Sequence, residues 1–149
     1  MNILIVCTGN TCRSPMAEAI LKKEIEKSGR NIEGYCISSA GISTVDGMNA
    51  SQNSIEVLKE LGIDLSNHRS KVITKELIDN SDIILTMTKY HKEILVQAVP
   101  KCKEKVYTFK GFVNENEADI SDPFGGNLDT YRDTMEEIMY SVNEIVKKI

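Results

Sequence analysis

A cysteine and an arginine separated by five residues, Cys7-Thr8-Gly9-Asn10-Thr11-Cys12-Arg13, are the side chains in this sequence best suited to chemistry. Ser14 and Pro15 follow directly. Pro15 has the fixed φ favoured in the first turn of a helix, and the run before Cys7 (Ile3 to Val6) is apolar and mostly β-branched, as suits a buried parallel strand. A loop joining a strand's carboxyl end to a helix's amino end attracts anions through its free amides and the helix dipole. Arg13 adds a planar fork of donors that matches phosphate oxygens.

Cys7 opens this loop, and the same field bears on its sulfur. An ordinary thiol with pKa ~8.5 is only about 3% thiolate at neutral pH, and a drop of ~3 units makes it almost wholly thiolate. The loop amides, Arg13 and the Ser14 hydroxyl are expected to supply that drop. A thiolate beneath a bound phosphoryl group takes phosphate onto sulfur and then passes it to water. The plain alternative is a buried cysteine that ends a strand. Cys-x5-Arg-Ser between strand and helix favours the chemical reading.

A thiolate that displaces phosphate leaves charge on the departing atom, so the reaction calls for a proton donor beyond the phosphorus. Asp122 is the candidate, with Pro123 stiffening the loop behind it. It would then act as base for the water that attacks phosphocysteine. Taken alone, Asp-Pro is a turn signal.

The early loop and the late Asp122-Pro123 together resemble the low-molecular-weight protein tyrosine phosphatase family, over the whole chain. Cys-x5-Arg by itself is shared by several unrelated phosphatase folds. The match rests on its place within the first fifteen residues, on Cys12 beside Arg13 and on the late Asp-Pro. Cys7 to Glu18 together with Asp122-Pro123-Phe124-Gly125-Gly126 look most similar to the bacterial protein-arginine phosphatase branch. The resemblance implies a single phosphatase domain over residues 1–149. It implies Cys7, Arg13 and Asp122 as catalytic residues, and Thr8, Gly9, Asn10, Thr11, Cys12, Arg13 and Ser14 as the phosphate-binding loop. Cys12 is either a small packing residue or a second sulfur that traps an oxidised Cys7. The family's recurrent use of this pair as a redox safeguard points to the second.

Two positions depart from the tyrosine-specific pattern of that family. Thr11 stands where the tyrosine enzymes usually carry a branched apolar residue, and Phe124 followed by two glycines stands where they often have Tyr. A hydroxyl at Thr11 suits a polar guanidine leaving group, and Phe124 offers a face for a planar guanidinium. Phosphoarginine is therefore the first expected substrate and phosphotyrosine the alternative. A thioredoxin-coupled arsenate reductase would need two more cysteines close together in the second half, where only Cys102 occurs. A phosphocarrier subunit would not need the Asp-Pro acid, and the presence of Cys7, Arg13 and Asp122 together leaves little reason to prefer a non-catalytic phosphate-binding module.

The chain that must position these residues has 149 residues, 41% hydrophobic, enough for one domain with a substantial core. A net charge of -4 argues against nucleic acid or an anionic membrane as partner. No run is apolar enough to span a bilayer and no signal peptide precedes the loop, so the expected setting is cytoplasmic, as a monomer acting on phosphorylated proteins. Cys7, Cys12, Cys36 and Cys102 form no metal pattern, and neither metal nor cofactor is expected.

Strands are expected at Ile3 to Val6, Tyr35 to Ser39, Asp82 to Thr86 and Lys105 to Thr108. Helices are expected from Pro15 to Ser28, Ser51 to Leu61, Thr74 to Asn80, Tyr90 to Val99 and through the stripe Tyr131, Met135, Ile138, Val142, Ile145 and Ile149, read as core packing without chemistry. Their alternation gives an α/β, three-layer, flavodoxin-like fold: a four-stranded parallel sheet in order 2-1-3-4 with helices on both faces. Cys7 then sits at the topological switch point. The loop 42–49 either lines the substrate cleft or is a solvent turn, while the 111–121 loop is long enough to suggest function. Lys101, Lys103 and Lys105 read as a solvated turn. His68 and His91 fall in no motif and are expected in structural or surface roles.

Overall fold

A computed structural model describes residues 1–114 and 118–149, so the centre of the 111–121 loop, residues 115–117, lies outside the described residues. Four strands, β1 (Asn2–Cys7), β2 (Cys36–Gly41), β3 (Ile83–Thr86) and β4 (Val106–Thr108), form one parallel sheet in the order β2-β1-β3-β4. The helices are α1 (Arg13–Lys27), α2 (Gln52–Lys59), α3 (Lys75–Asp79), α4 (Lys89–Ala98) and α5 (Leu128–Lys148). This is the expected topology, with β1 paired on both edges.

Alternation along β1 explains the layers. Ile3, Ile5 and Cys7 pack with side chains of α1, α2 and α5, whereas Leu4 and Val6 pack with Ile78 of α3 and Leu95 of α4. Each fully buried Ile or Leu in these layers contributes about 1.5–3 kcal/mol by leaving water. Two faces so covered require β1 to be apolar from Ile3 onward, which is why its sequence shows no polar alternation.

Two local differences from the sequence reading have physical causes. Strand β2 begins one residue later and runs two further, through Ala40 and Gly41, because Gly41 is the register partner of Cys7. A side chain there would not fit: a Cβ on Gly41 would lie 2.7 Å from the Thr8 carbonyl oxygen and 3.1 Å from Asn10 Cβ. The lysine-bearing stretch Pro100–Lys105 is a 3-10 segment in which Lys101 and Lys103 are solvated as expected and Lys105 is not. Lys105 Nζ donates to the carbonyls of Ile78 and Ser81 at 2.7 and 2.8 Å, binding that segment to the end of α3, and Cys102 beneath it is buried.

Candidate active site

The loop from Cys7 to Ser14 is shaped by one residue in an uncommon conformation. Asn10 has φ 55°, among the described residues the only non-glycine at positive φ. Asparagine tolerates that region better than most side chains, and here every polar group it owns is tied down. Asn10 Oδ1 accepts from the Lys71 amide at 2.9 Å, and a backbone N–H can only donate, so the orientation of the side-chain amide is settled. Asn10 Nδ2 therefore donates to Ser14 Oγ at 2.8 Å and to Ser39 Oγ at 2.9 Å. The Asn10 carbonyl meets His68 Nε2 at 2.8 Å.

Directions elsewhere follow from that amide. Ser39 Oγ, accepting from Asn10, sends its own hydrogen to Glu18 Oε1 at 2.6 Å. Ser14 Oγ, also accepting, has its hydrogen left for Cys7 Sγ, 2.8 Å away. The Asn10 amide N–H donates to the same sulfur at 3.2 Å. Cys7 Sγ is thus an acceptor within a buried network that ends at an acidic side chain on α1.

Burial nevertheless pushes the Cys7 thiol up from its ordinary value, against the Ser14 hydroxyl, the Ser14 and Asn10 amides and the Arg13 charge, which all pull it down. This corrects the expectation of a lowered thiol. The donors stand where the sequence placed them, but burial outweighs them.

A cavity of about 260 Å³ opens above the sulfur, lined by Cys7, Thr8, Gly9, Thr11, Cys12, Arg13, Asp122 and Phe124. Asn10 and Ser14 lie behind it, and their side chains serve the loop itself. Arg13, buried at 4% exposure, donates from one guanidinium nitrogen to the Ile120 carbonyl at 2.9 Å, while another stands 3.6 Å from Asp122 Oδ2. Asp122 Oδ1 accepts from the Phe124 amide at 3.1 Å, a local turn that fixes the carboxylate on the cavity wall. The chain leaves this turn through Gly125 at φ 81°, a left-handed conformation that glycine adopts without strain. Phe124 is 82% exposed at the rim.

Of the two readings of the 42–49 loop, the structure favours the cleft. Ser43, Thr44, Val45 and Met48 line a second concavity of about 390 Å³ that shares Gly9 and Thr11 with the first. A larger cavity of about 530 Å³ beside α1 contains no cysteine, so it lacks the candidate nucleophile.

Residues 2–149 match the family model described as low molecular weight phosphotyrosine protein phosphatase. The chain belongs to that family. Among its relatives, the protein-arginine-phosphatase of Bacillus subtilis (strain 168) is 39% identical over 100% of this chain and 97% of its own. The low molecular weight protein-tyrosine-phosphatase PtpB of Staphylococcus haemolyticus is 40% identical over 97% of each. A solved structure of the YwlE arginine phosphatase, a mutant with a phosphorylated active site serine, superposes with TM-score 0.94 at 37% identity, covering 99% of this chain and 95% of that one. All three matches cover at least 97% of this chain.

Within this family fold, His91, His68 and Tyr131, like Ser39, touch the loop without any signal in the sequence. His91 is buried on α4 with Nε2 2.8 Å from Thr8 Oγ1, and His68 holds the Asn10 carbonyl. Tyr131 is part of the α5 core stripe, but its hydroxyl lies 3.4 Å from Cys12 Sγ, so the stripe is not packing alone. Burial and the Cys12 contact push the Tyr131 hydroxyl up to about 12, which keeps it a neutral O–H. No local spacing connects these residues to the loop, since 29 to 119 positions separate them from their partners.

Proposed function

We propose that this protein is a cysteine-dependent phosphatase that removes phosphate from phosphoarginine residues of proteins in the cytoplasm, acting as a monomer through a phosphocysteine intermediate. Cys7 Sγ, as the thiolate, attacks phosphorus and the P–N bond breaks as Asp122 gives its proton to the departing guanidine nitrogen. Arg13 and the loop amides hold the phosphoryl oxygens. Asp122 then takes a proton from the water that cleaves the S–P bond, and phosphate leaves. The relative whose active site serine carries phosphate supports a covalent route of this kind.

The observation that carries the choice of phosphoarginine is the presence of Thr11 and Phe124 in the same cavity as Cys7 and Asp122. Overall identity does not decide it, because relatives named for arginine and for tyrosine stand at 39% and 40%. That equality also keeps phosphotyrosine as the second reading. A guanidine entering the cavity brings N–H donors that need partners, which a threonine hydroxyl supplies and an isoleucine does not. Phosphate release from phosphoarginine and phosphotyrosine peptides, measured side by side, is the test. The wild type should prefer phosphoarginine, and Thr11→Ile should lower that preference about tenfold or more, as expected for an unpaired polar group. A wild type faster on phosphotyrosine, or an unchanged ratio in Thr11→Ile, assigns the enzyme to the second reading.

The same proposal makes Cys7 and Cys12, both free thiols here, a redox pair. Hydrogen peroxide oxidises Cys7 to a sulfenic acid, and the Cys12 thiol displaces water from it to form the disulfide. Peptide mapping after mild peroxide should find Cys7 linked to Cys12 and activity restored by a thiol reductant. Linkage to Cys36 or Cys102 would refute the pair.

A further inference from the structure

His91 sits on α4, outside the phosphate loop, and none of the steps above uses it. It is 1% exposed, its Nε2 lies 2.8 Å from Thr8 Oγ1, and its Nδ1 is buried with no hydrogen-bond partner. Thr8 lines the cavity beside Cys7 and Arg13. Those facts determine which way the hydroxyl points.

A neutral imidazole carries its proton on one nitrogen. With the proton on Nδ1, a buried N–H would have no acceptor, the rarer and costlier kind of orphan. With it on Nε2, the orphan at Nδ1 is only a lone pair. The charged form would leave the same unpaired N–H and place a second cation near Arg13. Burial first, and then Arg13, push the His91 pKa down to about 4, against weaker upward influences from Asp119 and Asp122, so the ring is neutral at physiological pH. Nε2–H therefore donates and Thr8 Oγ1 accepts. The hydroxyl hydrogen of Thr8 is left facing the cavity.

We propose that His91 is a positioning residue: as the Nε2–H tautomer it occupies the acceptor side of Thr8 Oγ1 and aims the Thr8 hydroxyl as a donor at a phosphoryl oxygen bound over Cys7. This rests on the reading of the cavity as a phosphoryl site, and not on which phosphoresidue enters it. The loop's donors are otherwise amides, the Thr11 hydroxyl at the cavity wall, and a cation held by Ile120. Thr8 would be a side-chain donor whose direction is set from a separate helix, so α4 and the loop must keep their relative placement for full activity.

The test uses the wild-type protein and a double-mutant cycle. Long-range ¹H–¹⁵N correlation at pH 7 should show His91 neutral and protonated on Nε2. Turnover of p-nitrophenyl phosphate and inhibition by inorganic phosphate should both weaken about tenfold in Thr8→Val and in His91→Leu, the scale of a hydrogen bond to a charged group. The double variant should be no worse than Thr8→Val alone, and His91→Gln, which keeps an N–H donor, should recover part of the loss. A protein protonated on Nδ1, or additive losses in the cycle, overturns the proposal while leaving the phosphatase reading in place. If the wild type neither turns over p-nitrophenyl phosphate nor binds phosphate, both fall together. The tautomer measurement stands even if His91→Leu folds poorly.

Discussion

Asp122 keeps 58% of its side chain exposed, while Arg13, 3.6 Å away, keeps 5%. A pair so placed is screened on one side and contributes at most about 1 kcal/mol to stability. Its value is positional. Asp122→Asn should lower turnover by about 10²–10⁴, the usual worth of a general acid, while leaving inhibition by inorganic phosphate within about twofold of wild type. A loss of only twofold in turnover would return Asp122 to the status of a turn residue. Ser14 bears on the other end of the reaction. Ser14→Ala removes an O–H donor from a sulfur that burial already pushes toward the neutral thiol, so the apparent pKa of Cys7 must rise and its thiolate fraction at pH 7 must fall. The pH profile of Cys7 alkylation should move upward in this variant, and an unmoved or lowered profile would mean that the Ser14 hydrogen does not go to sulfur. Cys7, Arg13 and Ser14 were legible in the sequence because the cradle is local, eight consecutive positions whose spacing encodes its shape, and Asp122 was legible through the Asp-Pro pair and the family resemblance. The interior role of Asn10 was not, because its partners Ser39, His68 and Lys71 lie 29, 58 and 61 positions away.

At the scale of elements, β2 and the phosphate loop are held in contact by the absence of a side chain. The Gly41 amide donates to the Lys71 carbonyl and the Gly41 carbonyl accepts from Ile73, so the strand cannot drift outward to relieve crowding. Gly41→Ala would force a methyl against Thr8 and Asn10, an overpacking that typically costs about 1–3 kcal/mol. The variant should melt earlier and bind inorganic phosphate more weakly, both read on the same preparation. Wild-type melting and binding would show that the loop tolerates displacement. Periodicity, with capping signals, located the four strands and five α-helices of the described residues, but not the 3-10 segments. It misplaced the end of β2 because Ala40-Gly41 reads as a turn until the pairing with Cys7 is known. It took Lys105 for a solvated lysine because three backbone carbonyls on another element are invisible in the local sequence.

Stability is a property of the whole molecule, and His91 links it to pH. Its folded pKa near 4 lies below the ~6.5 of an unfolded histidine, so between these values the unfolded chain holds a proton that the native protein does not. Stability therefore rises with pH through that window and is lost as pH falls from about 6.5 towards 4, by up to about 3 kcal/mol. The carboxylates Glu60, Asp64, Asp79 and Glu137 have lowered values, so what they contribute fades only as pH falls through the lower, carboxylate range. Chemical denaturation between pH 6.5 and 5 should thus show a slope that His91→Gln largely abolishes. A slope unchanged by that substitution would assign the effect to other groups.

The pairing of Arg13 with the Ile120 carbonyl joins positions 107 apart, and that of Cys12 with Tyr131 joins positions 119 apart. During synthesis at about 5–20 residues per second, the cysteine loop is made roughly 5–20 s before the segment that carries the Ile120 carbonyl and Asp122. Through that interval Cys7 has its own loop but not Asp122, and β1 lacks first β2 and then β3. A nascent chain therefore carries the cysteine without the far wall of its cavity, and the contact of Cys12 with Tyr131 arrives only with the last helix.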